Sequence, residues 1–315
     1  MIRRPLAAAA LTLCGVGAVA CGGAEVSGTG ASAPATPQVG QPAATQNRAS
    51  GTSGQGASEQ STSEQGASEP AGSETDITTV PGTRTATASA TAAEPLAGRT
   101  VVIDPGHNGG NFRHAREINK LVDISNQKKA CDTTGTSTND GYTEAAFTWD
   151  VSNRLAKLLK AKGATVKLTR SSKTAWGPCI DRRAAIGNEN KADAAISIHG
   201  DGAAANLRGF HIIMPKKIGG PVDAVVDRSA RLGRDVRDSF HRGTGLPYSN
   251  YIGKQALNYR SDLGGLNLSK VPKIFIECGN MRNATDAARF KDRAFRQRMA
   301  ESLAQGLEKY LTSTH

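Results

Sequence analysis

Two histidines and two glutamates, far apart in the chain, are the residues best equipped for chemistry: His107, Glu144, His199 and Glu277. Three of them close runs that read as β-strands. His107 follows Val101-Val102-Ile103-Asp104-Pro105-Gly106, His199 ends Ala194-Ala195-Ile196-Ser197-Ile198, and Glu277 ends Ile274-Phe275-Ile276. Glu144 opens a long amphipathic segment. Two imidazoles and a carboxylate can hold Zn²⁺ and leave a position for water. A second carboxylate beside the metal can move protons during a hydrolysis. Mg²⁺ and Ca²⁺, which want oxygen, suit this donor set less well. Each residue alone has an ordinary structural role available, such as a loop histidine or a glutamate favoured by a helix dipole. The set of four is what points to metal-assisted hydrolysis.

Such residues need a frame. Strands are expected at 100–104, around Val166 and Leu168, and at 194–199, 209–214 and 272–277. Helical spacing of apolar residues predicts helices over 144–162, 180–191, 221–242 and 286–312. A long polar loop is expected from Asn108 to Thr143, a length usually reserved for function or mobility. Alternating strands and helices imply an α/β fold: one domain over 99–315, with a largely parallel twisted sheet flanked by helices on both faces. Open sheets of this kind bind ligands outside the carboxyl ends of their strands, where these residues fall.

The N-terminal third has a different character. Residues 1–21 read as an export signal, with Arg3 and Arg4 before a short apolar run. Cys21 follows Ala18-Val19-Ala20 and resembles a bacterial lipoprotein processing site, although Ala18 stands where Leu is usual. Lipid on Cys21 would attach the protein to a membrane; ordinary secretion is the alternative. Residues 22–98 are rich in Gly, Ala, Ser, Thr, Pro and Gln and poor in large apolar residues, as in a disordered tether. A flexible chain of that length spans roughly 50 Å. The chain has 39 Lys+Arg and 28 Asp+Glu. Setting aside four basic and seven acidic residues before position 99 leaves 35 against 21, a net +14 on the folded part. That balance suits an anionic partner. Nucleic acid is not expected, because aromatics are few, no nucleic-acid motif is present and the chain reads as exported. An anionic envelope polymer fits better. Cys131 and Cys179 lie in polar loop sequence, and Cys278 follows an apolar strand. A Cys131–Cys179 disulfide with Cys278 free is therefore expected outside the cytoplasm.

Five stretches together carry a resemblance. They are Val101 to Gly110, Gly141-Tyr142-Thr143-Glu144, Val166-Lys167-Leu168-Thr169-Arg170, Ala192 to His199, and Val271 to Asn280. In that order and spacing, region 99–315 resembles the zinc-dependent N-acetylmuramoyl-L-alanine amidases of the amidase type 3 family. Thr136 to Asn139, Gly177-Pro178-Cys179 and Leu263 to Leu268 add a likeness to small actinobacterial members. The resemblance implies that His107, Glu144 and His199 bind zinc and that Glu277 is the catalytic carboxylate. The bond cut would join the lactyl group of N-acetylmuramic acid to L-alanine in peptidoglycan. Asp104 is expected either to accept from a ligand imidazole or to fix the turn before it. Asp201, Asn280 and Arg282 lie just past the rim, and Arg260 is a further cation; all four are candidates for contact with the stem peptide. His114 is a weaker substrate candidate, His211 and His241 are expected to be structural or on the surface, and His315 is the terminus. No separate wall-binding repeat is evident, and a monomer is expected. Two other readings compete: a non-catalytic peptidoglycan-binding protein on this fold, and an exported zinc peptidase.

Overall fold

The computed structural model describes residues 94–313; the expected signal, Cys21 and nearly all of the expected tether lie outside the described residues. The elements are β1 (Thr100–Pro105), α1 (Ala115–Ile118), β2 (Leu121–Asp123), β3 (Lys128–Ala130), α2 (Glu144–Lys160), β4 (Thr165–Leu168), α3 (Ile180–Glu189), β5 (Ala194–Asp201), β6 (His211–Pro215), α4 (Val226–Thr244), β7 (Leu257–Arg260), α5 (Gly264–Asn267), β8 (Lys273–Asn280), α6 (Ala284–Lys291) and α7 (Arg293–Thr312).

Local chemistry explains the boundaries. Thr143 is extended and caps α2, its side chain accepting from the Ala146 amide. Phe147, Val151, Leu155 and Leu159 then fall on one buried face. α4 ends at Gly245, which takes a left-handed φ of 64°. The helix expected over 286–312 is two helices. Asp292 is extended, and its carboxylate accepts from the Ala294 and Phe295 amides to start α7 afresh. The helix expected over 221–242 begins as a 3-10 turn, Pro221–Val225, before α4.

The main sheet has the order β4-β1-β5-β8-β6-β7. β4, β1, β5 and β8 are mutually parallel. β6 runs antiparallel to β8, and β7 runs parallel to β6. The sheet is thus largely parallel, with a reversed pair at one edge. Side chains alternate across it. Val101, Ile103, Ile196, Ile198, Ile274 and Ile276 point to one face and join the main core. There α4 packs on α7, and α7 on α2. The opposite face receives Asp104, Ser197, His199, Phe275, Glu277 and His211, and is partly covered by α3 and α5.

The loop expected over 108–143 carries more structure than its polar sequence suggests. It contains a 3-10 turn (Asn111–Arg113), α1 and the β2–β3 hairpin. A Cys131–Cys179 disulfide ties its far end to the start of α3, and Cys278 is free and buried. The hairpin is held from below, where Asn267 Nδ2 donates to Ile124 O at 3.2 Å.

The boundary expected at residue 99 moves. Leu96, assigned from sequence to the tether, is fully buried in the main core, and its amide donates to Lys162 O at 2.9 Å. The packed domain therefore takes in residues before Arg99. One leucine within a polar tract gives no periodicity, so its burial was not readable. Leu96→Ala should cost about 2–4 kcal/mol, the usual effect of deleting a buried leucine side chain. Urea unfolding checks this, and an unchanged midpoint would remove Leu96 from the core.

Candidate metal centre

The chain turns sharply where β1 ends. Gly106 has no room for a side chain, because a Cβ there would overlap the His199 ring. His107 follows with a left-handed φ of 56°, uncommon for a residue with a Cβ. The turn brings its ring edge-on to His199, with centroids 5.0 Å apart. Glu144, only 3% exposed, reaches between them from the first turn of α2. Its Oε1 lies 2.9 Å from His199 Nδ1 and accepts from the Gly200 amide at 3.1 Å. Its Oε2 accepts from the Thr136 amide at 2.9 Å and lies 3.3 Å from His107 Nε2. One donor atom from each of the three residues falls within 4.8 Å of the others.

The orientation of His107 is set from behind. Its Nδ1 faces Asp132 Oδ1 at 3.2 Å and Thr133 O at 3.1 Å, which turns Nε2 toward Glu144. Asp132 therefore takes the imidazole-acceptor role considered for Asp104. Among the described residues, Asp104 makes no hydrogen bond to an imidazole. It accepts from Thr169, Ser197, Arg183 and Lys273 at 2.6–3.0 Å, all below the rim. Arg183 continues the chain of contacts to Pro105 O and His107 O. The second role considered for Asp104, fixing the turn, is the one its contacts match.

Burial disfavours the charged form of Glu144, but His107 and His199 outweigh it and hold its carboxyl well below the usual range. Burial likewise opposes a charge on His107, yet Glu144 and Asp132 push it well above normal. Glu277 behaves in the opposite way. It pairs with His199 across β5 and β8 and with His211 across β8 and β6. Burial, then the Glu144 and Asp201 carboxylates, push it well above the ordinary glutamate range. Its Oε2 is buried with no hydrogen-bond partner among the described residues. The structure thus places beside the cluster a carboxyl whose neutral form is favoured.

The softer candidates separate. Asp201 accepts from the Tyr251 hydroxyl at 2.8 Å, near Glu277. Arg260 pairs with Asp262 through two hydrogen bonds and adds positive charge on the Glu277 side. Arg282 is exposed and reaches toward Ser137 O at 3.5 Å. Asn280 is different: it is fully buried, and its Nδ2 donates to Ala203 O, Ala204 O and Leu207 O. Its amide holds the 201–207 loop, so it is not available to substrate. His241 is structural, with Nδ1 facing Leu246 O at 2.8 Å. His211 is buried beside Glu277, where burial lowers its pKa to about 4. Asp132, Arg183, Lys273 and Tyr251 went unnoticed in the sequence. For Asp132 a signal existed, since it directly follows the cysteine expected to bridge to Cys179.

A cavity of about 240 Å³ opens beside the cluster, lined in part by His107, His199, Arg183, Leu263 and Phe275. Two imidazoles, one buried and one partly buried carboxylate at one rim of an α/β sheet, beside an open cavity, are the equipment of a metal-assisted hydrolase. Residues 101–309 match the family described as N-acetylmuramoyl-L-alanine amidase, and the chain belongs to that family. It is 40% identical over 230 residues to N-acetylmuramoyl-L-alanine amidase Rv3717 of Mycobacterium tuberculosis, covering 72% of this chain and 92% of the relative. The crystal structure of the amidase Ami1 from Mycobacterium smegmatis superposes with a TM-score of 0.66 at 38% identity, covering 70% of this chain and 99% of that one. Apo Ami1 from Mycobacterium abscessus gives 0.65 at 41%, covering 69% and 100%.

The Asp104 contacts lead to a stability prediction. Asp104→Asn leaves Lys273 buried without its counter-ion and Arg183 with only Asp132 at 3.6 Å, and should cost about 3–5 kcal/mol. Burial raises the Asp104 pKa, but Lys273 and Arg183 bring it well below normal. A depressed folded value means the stabilisation is present above the unfolded pKa of about 3.9 and fades as pH falls toward the folded one. Denaturant midpoints of both proteins should therefore converge below about pH 4. A constant gap down to the acid limit would contradict this account.

Proposed function

We propose that this protein is a zinc-dependent peptidoglycan hydrolase that cuts the amide between the lactyl group of N-acetylmuramic acid and L-alanine. Family membership supports the reaction class, and the donor set supports the metal. His107 Nε2, His199 Nδ1 and the Glu144 carboxylate would hold Zn²⁺, a set of two nitrogens and one oxygen that suits this ion. Bound there, zinc supplies a Lewis acid that polarises a carbonyl and lowers the pKa of water.

The observation that carries the proposal is Glu277, partly buried beside the cluster, with its Oε2 enclosed and without a partner among the described residues and its pKa raised. Such a carboxylate takes a proton from the attacking water and, once protonated, gives it to the leaving amine. Asp132 keeps His107 in register, and Gly200 and Thr136 amides hold Glu144. Arg260, Arg282 and Asp201 are the proposed contacts for the stem peptide. The net +14 of region 99–315 suits an anionic wall. Cys21 is proposed as a lipid attachment point, which would place a monomeric enzyme at the membrane facing the wall; two or more acyl chains would be needed for stable anchoring.

Chelation should abolish activity, and His107→Ala or His199→Ala should lose most bound zinc. Full turnover in a metal-free preparation would sink the metal assignment. Identifying the new amine after digestion of purified muropeptides separates amidase from peptidase: a free L-alanine amino group is expected, and cleavage within the stem would favour the peptidase.

The two glutamates should differ. Glu277→Gln keeps the shape and should reduce turnover by about 10²–10⁴-fold or more while zinc stays bound. Its effect on substrate affinity should be small, since the group acts in the transition state. Glu144→Gln should weaken metal binding. Zinc stoichiometry paired with turnover decides, and the reverse pattern would mean the two roles are exchanged.

A further inference from the structure

Three rings stand on the loops that leave β1 and β4, without a part in the chemistry. Phe112 is 66% exposed and Trp176 is 40% exposed. His114 stacks on Trp176 with centroids 5.2 Å apart and planes 26° apart, and also lies 3.7 Å from Glu117. Arg113 lies over Phe112 at 4.8 Å. Phe112 and His114 come from the loop that leaves His107, and Trp176 from the loop after β4. Large exposed aromatics are costly to leave in water and mark contact surfaces when they gather.

These rings are braced to the metal centre. The Gly110 amide donates to Ala175 O at 3.0 Å. A Cβ on Gly110 would meet Thr174 O at 2.6 Å, and one on Gly109 would overlap Lys173 O, so the two backbones touch directly. Asn111, the residue before Phe112, donates to Thr133 O at 2.7 Å. That is the same carbonyl that faces His107 Nδ1. Cys179, three residues after Trp176, bridges to Cys131, next to the Asp132 that orients His107. The patch is therefore a rigid extension of the site rather than a loose loop.

We propose that Phe112, His114 and Trp176 form a platform for the glycan strand, seating N-acetylhexosamine rings next to the one that carries the scissile amide. This rests on the amidase reading above. The lactyl group joins the amide directly to a sugar ring, so a substrate placed at the metal must lay its glycan along one wall of the site. On the β8-β6-β7 side stand Arg260 and, past β8, Arg282, which suit the carboxylates of a stem peptide. On the β1-β4 side stand aromatic faces. Sugar rings present C–H groups, and the negative face of an aromatic ring attracts them. Exposed ring faces of this kind suit a neutral sugar.

The test uses the zinc-loaded full-length protein and a peptide-free β-1,4-linked N-acetylglucosamine tetramer. Tryptophan fluorescence should change on titration. Trp176→Phe should remove that signal while calorimetry still detects binding, because a ring remains. Trp176→Ala and Phe112→Ala should weaken tetramer binding and raise KM for glycan-linked substrate roughly tenfold each, the size of one good ring contact, with kcat and zinc content little altered. Tyr259→Ala, which removes an exposed ring on β7, should change neither. Binding of the tetramer at Trp176 without any muropeptide turnover would keep the platform and remove the amidase reading. Muropeptide turnover with no tetramer binding, and unchanged KM in both alanine variants, would overturn the platform alone.

Discussion

The rim of this sheet depends on one buried carboxylate. Asp104 is enclosed, and an isolated charge there would be strongly unfavourable. It is stable only because Lys273 from β8, Arg183 from α3, Ser197 from β5 and Thr169 after β4 all converge on it. Four separate parts of the chain are thereby held to the end of β1. Arg183 passes the constraint upward, donating to the carbonyls of Pro105 and His107 and to Asn108 Oδ1. A left-handed histidine backbone is unfavourable on its own and persists where its surroundings over-determine it. Here the arginine below and the Asp132 side chain beside it do so.

Above that base the electrostatics divide the two glutamates. Glu144 is buried, Glu277 is partly buried, and both lie near the imidazoles. Glu144 sits in direct contact with two rings and two backbone amides, so its charge is favoured. Glu277 is desolvated, has carboxylates for neighbours and carries an oxygen without a partner among the described residues, so its neutral form gains. Similar side chains acquire different proton affinities from placement alone, which is how environments commonly assign acid–base work.

Much of this was legible in the sequence because it rests on strong local patterns. The branched-aliphatic runs leading to His107, His199 and Glu277 read as strands, and parallel strands deliver the residues at their carboxyl ends to one rim. The 3.6-residue spacing after Glu144 read as a helix. What escaped was decided by long-range contacts. β6 and β7 reverse against the sheet, and no local pattern states a strand's direction. The polar stretch after Asn108 folds around a ten-residue hairpin, 121–130, whose support comes from α5 and the disulfide. Asn280 looked like a rim residue because it lies close after Glu277, but the backbone turns its amide inward onto the 201–207 loop. Asp292 resembled any polar residue inside a helical pattern, and only its extended conformation makes it a cap.

The alternation of side chains across β1 and β5 has a consequence for how such a chain can vary over generations. Val101, Ile103, Ile196 and Ile198 face a core that asks for volume and apolarity, and exchanges that conserve volume there usually cost under about 1.5 kcal/mol. Asp104, Ser197 and His199 on the other face each satisfy a specific donor or acceptor, which no change of similar size restores. One strand therefore carries two inheritances in alternate positions, one permissive and one nearly frozen. Drift along it would have a rhythm of two residues.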